Sequence, residues 1–171
     1  ALAYLPEHAV VSVMHPVEPQ DPGTPTVFAA ASPKAHGQKY RLCDNGSTHQ
    51  ACNWAVSVED DDPLCRACRL NEVIPDLSQS AKRLAWMRIE SAKRRLLYTL
   101  FALGLPVESK RQRSNGGLAF CFMADGADQK VFTGHSDGTV TINVAEADDP
   151  FREKMRTQLG ETYRTVLGHF R

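Results

Sequence analysis

Four cysteines in the first half of the chain have the residue type and spacing of metal ligands. Cys43, Cys52, Cys65 and Cys68 follow the pattern C-x8-C-x12-C-x2-C. Structural zinc sites hold the ion in a tetrahedron of four ligands, and thiolate sulfurs bind it at about 2.3 Å. A C-x2-C pair reaches one ion from a tight turn, and a second pair in a nearby loop completes the set. We therefore predict one closed zinc site built from these four side chains.

Two further side chains are relevant to this site. His49 lies between Cys43 and Cys52 and is an alternative ligand in place of one cysteine. Cys121, the fifth cysteine, lies in an apolar run, which is typical of a small core residue. An odd number of cysteines without a recognisable secretory signal favours metal binding over disulfides. Four reduced thiols without a metal are the alternative interpretation.

Two polar clusters later in the chain have both a functional and a structural interpretation. Thr133, His135 and Asp137 lie in the run TGHSDG, which is either a polar cluster near a cleft or a hairpin turn. Turn formation is favoured because Asp and Gly are the residues that tight turns need. The acidic run at 146–149 is either a divalent-cation site or a helix N-terminus, and the helix dipole favours the second.

A long amphipathic helix is predicted to follow the cysteine-rich segment, over about residues 81–103. Ser78 and Ser80 are candidate N-caps. Glu90 and Arg94 are spaced i, i+4 and are expected to pair on the solvent side. The apolar stripe that should face the core consists of Trp86, Ile89, Leu96, Leu97, Leu100 and Leu103.

Short strands are predicted on both sides of that helix. Before it, 10–14 and 37–43 have strand composition. After it, 118–124, 130–135 and 139–144 are expected to form a three-stranded antiparallel region. The last of these alternates strictly between apolar and polar residues, which suggests an edge strand with one buried face.

The order of these elements indicates an α+β fold with a separate N-terminal metal module. A small four-cysteine zinc-ribbon module is expected at residues 1–76, which contain few large apolar side chains and would gain folding energy from the metal. Residues 77–171 are expected to hold the long helix, the short antiparallel sheet and two helices. The first of the two helices begins with Asp149 as its N-cap and Pro150 at its first position.

Composition excludes some classes of partner. The chain has 20 Lys and Arg residues against 20 Asp and Glu residues. This balance, together with the acidic run at 59–62 beside the metal loop, argues against nucleic-acid binding. No apolar run is long enough for a transmembrane helix, so we expect no membrane partner and a cytoplasmic location. The sequence leaves the oligomeric state open.

Several runs resemble one family as a set: CNWAV, CRACRLNEVIPDLS, GLAFCFMAD, TGHSDGTVTINVAEAD and LGHFR. They resemble bacterial zinc-binding metallopeptidases that begin with a zinc-ribbon domain, from about Tyr40 to Arg171, and Ala1–Pro6 resembles the end of that family's first zinc ribbon. The resemblance implies a zincin-like second domain. Cys121 departs from the family pattern, which has an acidic residue there.

The C-terminal run ETYRTVLGHFR has an apolar face made by Tyr163, Val166, Leu167 and Phe170, with His169 beside it. This spacing predicts a helix that continues beyond Arg171. The resemblance implies that an H-E-x-x-H segment follows in the parent, with a catalytic zinc, so this chain is expected to be a fragment trimmed at both ends and inactive alone.

Three functions are therefore considered from the sequence. In the first, the parent is a zinc-dependent peptidase (hydrolase) that cleaves a peptide or protein, and the strand at 139–144 pairs with the extended substrate. In the second, the chain is a zinc-ribbon interaction module. In the third, it is a degenerate structural protein without catalysis. Whether the parent is an active enzyme, and on which substrate, stays open at this level.

Overall fold

Within the residues that the structure describes, the fold consists of two β-sheets and three α-helices. The computed structural model describes residues 1–17, 23–158 and 160, and the elements below are those of the described residues. The predicted α+β class is confirmed. None of the helices in these ranges is long and apolar enough to cross a membrane.

The first sheet has five antiparallel strands in simple chain order. The hairpin of its first two strands pairs Leu2 with Val13 and Leu5 with Val10. The short helix α1 (Asp44–Ser47) follows the fourth strand. The strands are β1 (Leu2–Leu5), β2 (Val10–Pro16), β3 (Phe28–Ala30), β4 (Lys39–Leu42) and β5 (Ala55–Ser57).

This sheet has a small apolar core of its own, which corrects the expectation that the N-terminal segment has too few large apolar side chains to form one. Tyr40, Leu5 and Met14 are its largest fully buried members. The predicted strands at 10–14 and 37–43 correspond to β2 and β4. Strands β1, β3 and β5 were not predicted, because runs of three or four residues are too short to show an alternating pattern.

The predicted long helix is confirmed as α2 (Ser80–Ala102). Its N-cap is Gln79, so the prediction of Ser78 or Ser80 at this position is wrong. Asp76 organises the approach to the helix instead: its carboxylate accepts hydrogen bonds from the backbone N–H of Ser78 at 3.0 Å and from the Ser78 hydroxyl at 2.7 Å.

The buried face of α2 differs from the predicted apolar stripe. Trp86 and Leu97 are fully buried, as predicted, but Leu96 is 49% exposed and Leu103 is 68% exposed. The positions between Trp86 and Leu97 on the buried face, at helical spacings of four, three and four residues, are Glu90 and Lys93. The predicted i, i+4 pairing of Glu90 with Arg94 is confirmed, with Arg94 Nη1 3.7 Å from Glu90 Oε2. Its predicted location on the solvent side is wrong, because Glu90 is 0% exposed.

The second sheet has four strands in the order β6-β7-β9-β8. Strands β6 and β7 are parallel, β7 and β9 are parallel, and only β8 and β9 form an antiparallel hairpin. The predicted antiparallel arrangement is corrected to a mixed sheet. After the β8–β9 turn, β9 runs beside β7 in the same direction, and β8 lies on the other side of β9. The strands are β6 (Asn71–Val73), β7 (Ala119–Met123), β8 (Gly134–Ser136) and β9 (Thr139–Asn143).

Strand β9 is not the edge strand that its alternating pattern suggested. It lies between β7 and β8, and the edge strands of this sheet are β6 and β8. A polar face on a strand shows that one side of the sheet is exposed, which holds for interior strands of a sheet covered on one side as well as for edge strands. The prediction that 139–144 is free to pair with a substrate is therefore wrong for the paired segment Thr139–Thr141.

The second sheet is followed by a 3-10 turn (Val144–Ala147) and helix α3 (Asp149–Gln158). The Asp148 carboxylate accepts a hydrogen bond from the backbone N–H of Phe151 at 3.0 Å, so Asp148 is the N-cap and Asp149 is the first helical residue. This shifts the predicted cap by one position. The predicted last helix, with its apolar face and His169, lies outside the described residues.

The larger core joins both halves of the chain. Tyr4, Trp54, Leu70, Trp86 and Phe122 belong to one buried cluster, which also includes three of the four spaced cysteines. The division into domains at 1–76 and 77–171 stays a prediction. The core nevertheless packs residues from both sides of that boundary together, and β6 pairs with β7 across it.

Candidate metal centre

The four spaced cysteines meet at one point. Their sulfur atoms all lie within 4.8 Å of one another, and Cys52 Sγ is 3.6 Å from Cys65 Sγ. Four sulfurs about 2.3 Å from a central zinc ion would be about 3.8 Å apart, whereas a disulfide would bring two sulfurs to about 2.05 Å. All four are free thiols. The arrangement therefore fits a tetrahedral ion and does not fit disulfides.

Loops that end the first sheet position these cysteines. Cys43 directly follows β4 and precedes α1, and Cys52 lies where the chain returns toward β5. Cys65 and Cys68 lie on one tight turn that continues into the 3-10 turn Cys68–Leu70. Three of the sulfur-bearing residues are fully buried, and Cys52 is partly exposed.

Backbone N–H groups point at two of the sulfurs. Cys65 N donates to Cys43 Sγ at 3.3 Å, and Trp54 N donates to Cys52 Sγ at 3.4 Å. Hydrogen bonds from neighbouring thiols lower the pKa of Cys43, whereas burial raises the pKa of Cys65. Metal binding requires thiolates, and these N–H donors stabilise them. With four protein ligands the site has no open position for water, so its chemistry is structural and not catalytic.

The acidic run before Cys65 builds the loop that carries it. Arg69 Nη2 lies 2.6 Å from Asp60 Oδ2, and Arg69 Nε lies 3.0 Å from Asp62 Oδ2. Arg41 donates to the backbone carbonyl oxygens of both aspartates. Desolvation is the largest single influence on the pKa of Asp60 and raises it, but the hydrogen bonds from Arg69 and the Asp62 N–H and the charges of Arg69 and Arg41 together lower the pKa below its usual value. Asp60 and Asp62 are therefore paired carboxylates that shape the loop.

His49, the alternative ligand, and Cys121, the predicted core residue, lie outside the sulfur cluster. The His49 ring packs edge-on against Trp86, with ring centroids 6.2 Å apart. Cys121 lies in β7 opposite Val73 and is half-buried, and burial raises the pKa of its thiol. In the described part of the chain, the four predicted cysteines are the ones that the fold brings together.

The remaining polar clusters have structural roles. His135 and Asp137 are exposed on the β8–β9 turn. The turn has Asp137 at φ 48° and Gly138 at φ 78°, the left-handed conformation that hairpin turns require. Thr133 Oγ1 accepts a hydrogen bond from Asn143 N at 3.0 Å. Together with the Asp148 cap, this agrees with the turn and helix-terminus interpretations of these runs.

Sequence reasoning missed the groups on α2 that support the metal loops. Arg94 donates to the backbone carbonyl oxygen of Ala51, which immediately precedes Cys52. Glu90 and Lys93 contact Asn71, just after the turn that carries Cys68. The sequence did contain a signal for these groups. Glu90 and Lys93 are charged, but their helical spacing from Trp86 and Leu97 places them on the same face of α2 as these two apolar residues.

Gly46 in α1 packs directly on the Cys52 backbone. A Cβ atom there would overlap the Cys52 carbonyl oxygen. We expect Gly46→Ala to displace Cys52 and to lower zinc affinity on the order of 10–100-fold, the range of other changes beside metal ligands. Competition with a chromogenic chelator measures this. Gly134→Ala is the matched control, because nothing lies within 4 Å of its added Cβ; equal affinity of both variants would contradict the described packing.

The fold and the four-cysteine cluster together define a zinc-ribbon protein whose metal loops are packed on a helical and mixed-sheet segment. A zinc-ribbon domain profile matches residues 1–79. The profile of the family described as "Putative zinc-binding metallo-peptidase" matches residues 82–171. This match covers more than half of the chain, and the chain belongs to that family. The zinc-ribbon match and the sulfur geometry together support a structural zinc ion bound by the cysteines.

Similar proteins occur in mycobacteria. "Uncharacterized protein Rv2568c" of Mycobacterium tuberculosis and "Uncharacterized protein Mb2598c" of Mycobacterium bovis are each 40% identical to this chain over 131 residues. The aligned region covers 77% of this chain and 38% of each relative, so the chain spans less than half of the relatives' length. No solved structure matches the chain significantly.

Proposed function

We propose that this chain is the structural, zinc-binding part of a zinc-dependent peptidase, and that it does not itself carry the catalytic site. The zinc ribbon folds around one inert ion and fixes the long helix and the mixed sheet. Peptide hydrolysis by the whole protein takes place at a second zinc site, supplied by an H-E-x-x-H segment outside the described residues. Two His residues one helical turn apart bind that ion, and the Glu acts as general base.

The closed geometry of the four-cysteine cluster is the observation that carries this proposal. A catalytic zinc needs an open position for water or substrate, and four thiolates leave none. Across residues 1–17 and 23–158, this cluster is the one group of three or more potential ligands close enough to share an ion. Membership of the peptidase family therefore supports a catalytic site elsewhere in the whole protein.

The proposed partner is a peptide or protein substrate, and the proposed location is the cytoplasm. We expect no nucleic-acid partner, because Lys plus Arg equals Asp plus Glu in number. An extended substrate could add to the second sheet at one of its edge strands. We propose β8 for this role, because it lies at the edge beside β9 and its residues Gly134–Ser136 are exposed.

The test compares the whole protein with the 171-residue chain. We expect the whole protein to bind two zinc ions per chain and to hydrolyse an unstructured protein such as casein. A chelator should remove the exchangeable ion and abolish hydrolysis reversibly. The 171-residue chain should retain about one zinc and show no hydrolysis. A whole protein with two zinc ions and no hydrolysis of casein or of a peptide library would contradict the peptidase proposal.

An interaction module is the second candidate, and one feature of the first sheet favours it. Leu2, Val11 and Val13 are 66%, 61% and 46% exposed on the β1–β2 hairpin. Leu2 lies directly opposite Val13 in the hairpin, and Val11 is two residues before Val13 on the same strand. The side chains of Leu2, Val11 and Val13 therefore lie on the same face of the sheet. Apolar faces of this kind are typical of protein contacts. Under this alternative, Val11→Asp would abolish partner binding and leave any hydrolysis unchanged.

A further inference from the structure

A charged cluster is buried on the face of α2 that meets the metal loops. Glu90 is 0% exposed and Lys93 is 4% exposed, and they lie between Trp86 and Leu97 on the helix. Burial of charged groups is unfavourable unless they are paired and hydrogen-bonded. The hydrogen bonds and ion pairs of these side chains therefore show which segments of the chain the cluster positions.

One side of the cluster reaches the turn with Cys65 and Cys68. Lys93 Nζ lies 2.9 Å from Glu90 Oε1 and also donates to Asn71 Oδ1. Asn71 Nδ2 donates to Glu90 Oε1 at 2.6 Å. Asn71 directly follows the 3-10 turn that begins with Cys68. Glu90 and Lys93 thus fix the chain where it leaves the second pair of cysteines.

The other side of the cluster reaches the loop with Cys52. Arg94 is 12% exposed at its side chain and donates to the Ala51 carbonyl oxygen. Arg94 Nη1 also lies 3.7 Å from Glu90 Oε2, a buried oxygen that accepts no hydrogen bond within the part of the chain described here. The guanidinium therefore lies between the Glu90 carboxylate and the peptide group that joins Ala51 to Cys52.

Cys52 is the least buried of the four cysteines. Cys43, Cys65 and Cys68 are at most 1% exposed and are enclosed by the core. Cys52 is partly exposed, and the carbonyl oxygen that immediately precedes it accepts the hydrogen bond from Arg94. In metal sites, residues that orient a ligand from outside the coordination shell contribute about 10–100-fold to metal affinity.

We propose that Arg94 is a positioning residue of the metal centre. Held by Glu90, it fixes Ala51 and therefore Cys52, and it makes zinc affinity depend on α2. Because coupling between binding and conformation is reciprocal, zinc binding in turn stabilises α2 and the sheet packed on it. This inference concerns the four-cysteine site alone and holds whether or not the whole protein is a peptidase.

The test measures zinc affinity by chelator competition and the absorption spectrum of the cobalt-substituted full chain. We expect Arg94→Met to weaken zinc binding about 10–100-fold and to alter the cobalt–thiolate bands. Arg94→Lys, which keeps a cationic donor, should recover part of the affinity. Arg95→Met is the matched control on the exposed side of the same helix, and its affinity and spectrum should equal those of the unchanged chain.

Two outcomes would overturn the inference. In one, Arg94→Met and Arg94→Lys lower the denaturation midpoint but keep the zinc affinity and cobalt spectrum of the unchanged chain, as a purely structural role requires. In the other, removing zinc from the unchanged chain speeds amide hydrogen exchange in the cysteine loops and leaves exchange in α2 the same. If Arg94→Met does not fold, Arg94→Lys and this exchange measurement still decide the matter.

Discussion

Replacing Cys65 and Cys68 together by serine should abolish stoichiometric zinc binding and unfold the N-terminal part of the chain. Both residues are fully buried within the sulfur cluster and the larger core. The double substitution removes two of the four ligands. The apparent binding free energy of structural zinc is on the order of 10–16 kcal/mol and contributes to folding in small zinc modules, so its loss should destabilise this part of the chain. Elemental analysis and circular dichroism of the purified variant measure both effects.

Cys121→Ser is the matched control for this double substitution. Cys121 lies in β7, outside the sulfur cluster, so this variant should keep about one zinc per chain. Full zinc occupancy in the Cys65→Ser,Cys68→Ser protein would show that the metal is bound elsewhere. Equal zinc loss in the Cys121→Ser protein would show that serine substitution acts through general destabilisation.

Truncating Leu97 to alanine should destabilise the fold by about 2–5 kcal/mol, the usual cost of a fully buried leucine. Leu97 is 0% exposed on α2 and belongs to the core that joins both halves of the chain. Leu96→Ala on the neighbouring position should cost less than about 0.5 kcal/mol, because Leu96 is 49% exposed. Chemical denaturation of the zinc-bound chains measures the difference, and equal effects would contradict the described helix orientation.

The metal centre was predictable because its information is local. The residue types and spacing of Cys43, Cys52, Cys65 and Cys68 define the ligand set without any knowledge of the fold. The existence of α2 was predictable in the same way, from length and periodicity. The packing around Cys52 was not predictable, because the contacts of Gly46 and Arg94 depend on how two distant segments meet.

The pairing of the second sheet could not be predicted from local patterns. Strand β6 precedes α2 and β7 follows it, and neither strand's sequence specifies a partner. The alternation of apolar and polar residues in β9 predicted which residues lie on each face of the strand. It did not predict that β9 lies between β7 and β8. The buried face of α2 was also missed, because Glu90 was assigned to the solvent side and Lys93 was left out of the predicted core-facing stripe. Pairing with Asn71 allows both charged side chains to be buried.

X-ray absorption at the zinc edge of the purified chain tests the central claim most directly. A closed site made by Cys43, Cys52, Cys65 and Cys68 predicts one zinc environment with four sulfur neighbours at about 2.3 Å and no nitrogen or oxygen neighbour. Fewer than four sulfurs, with nitrogen or oxygen at about 2.0–2.2 Å, would contradict the account. It would mean that a histidine, a carboxylate or water completes the site, and that the zinc ribbon is not the closed structural centre described above.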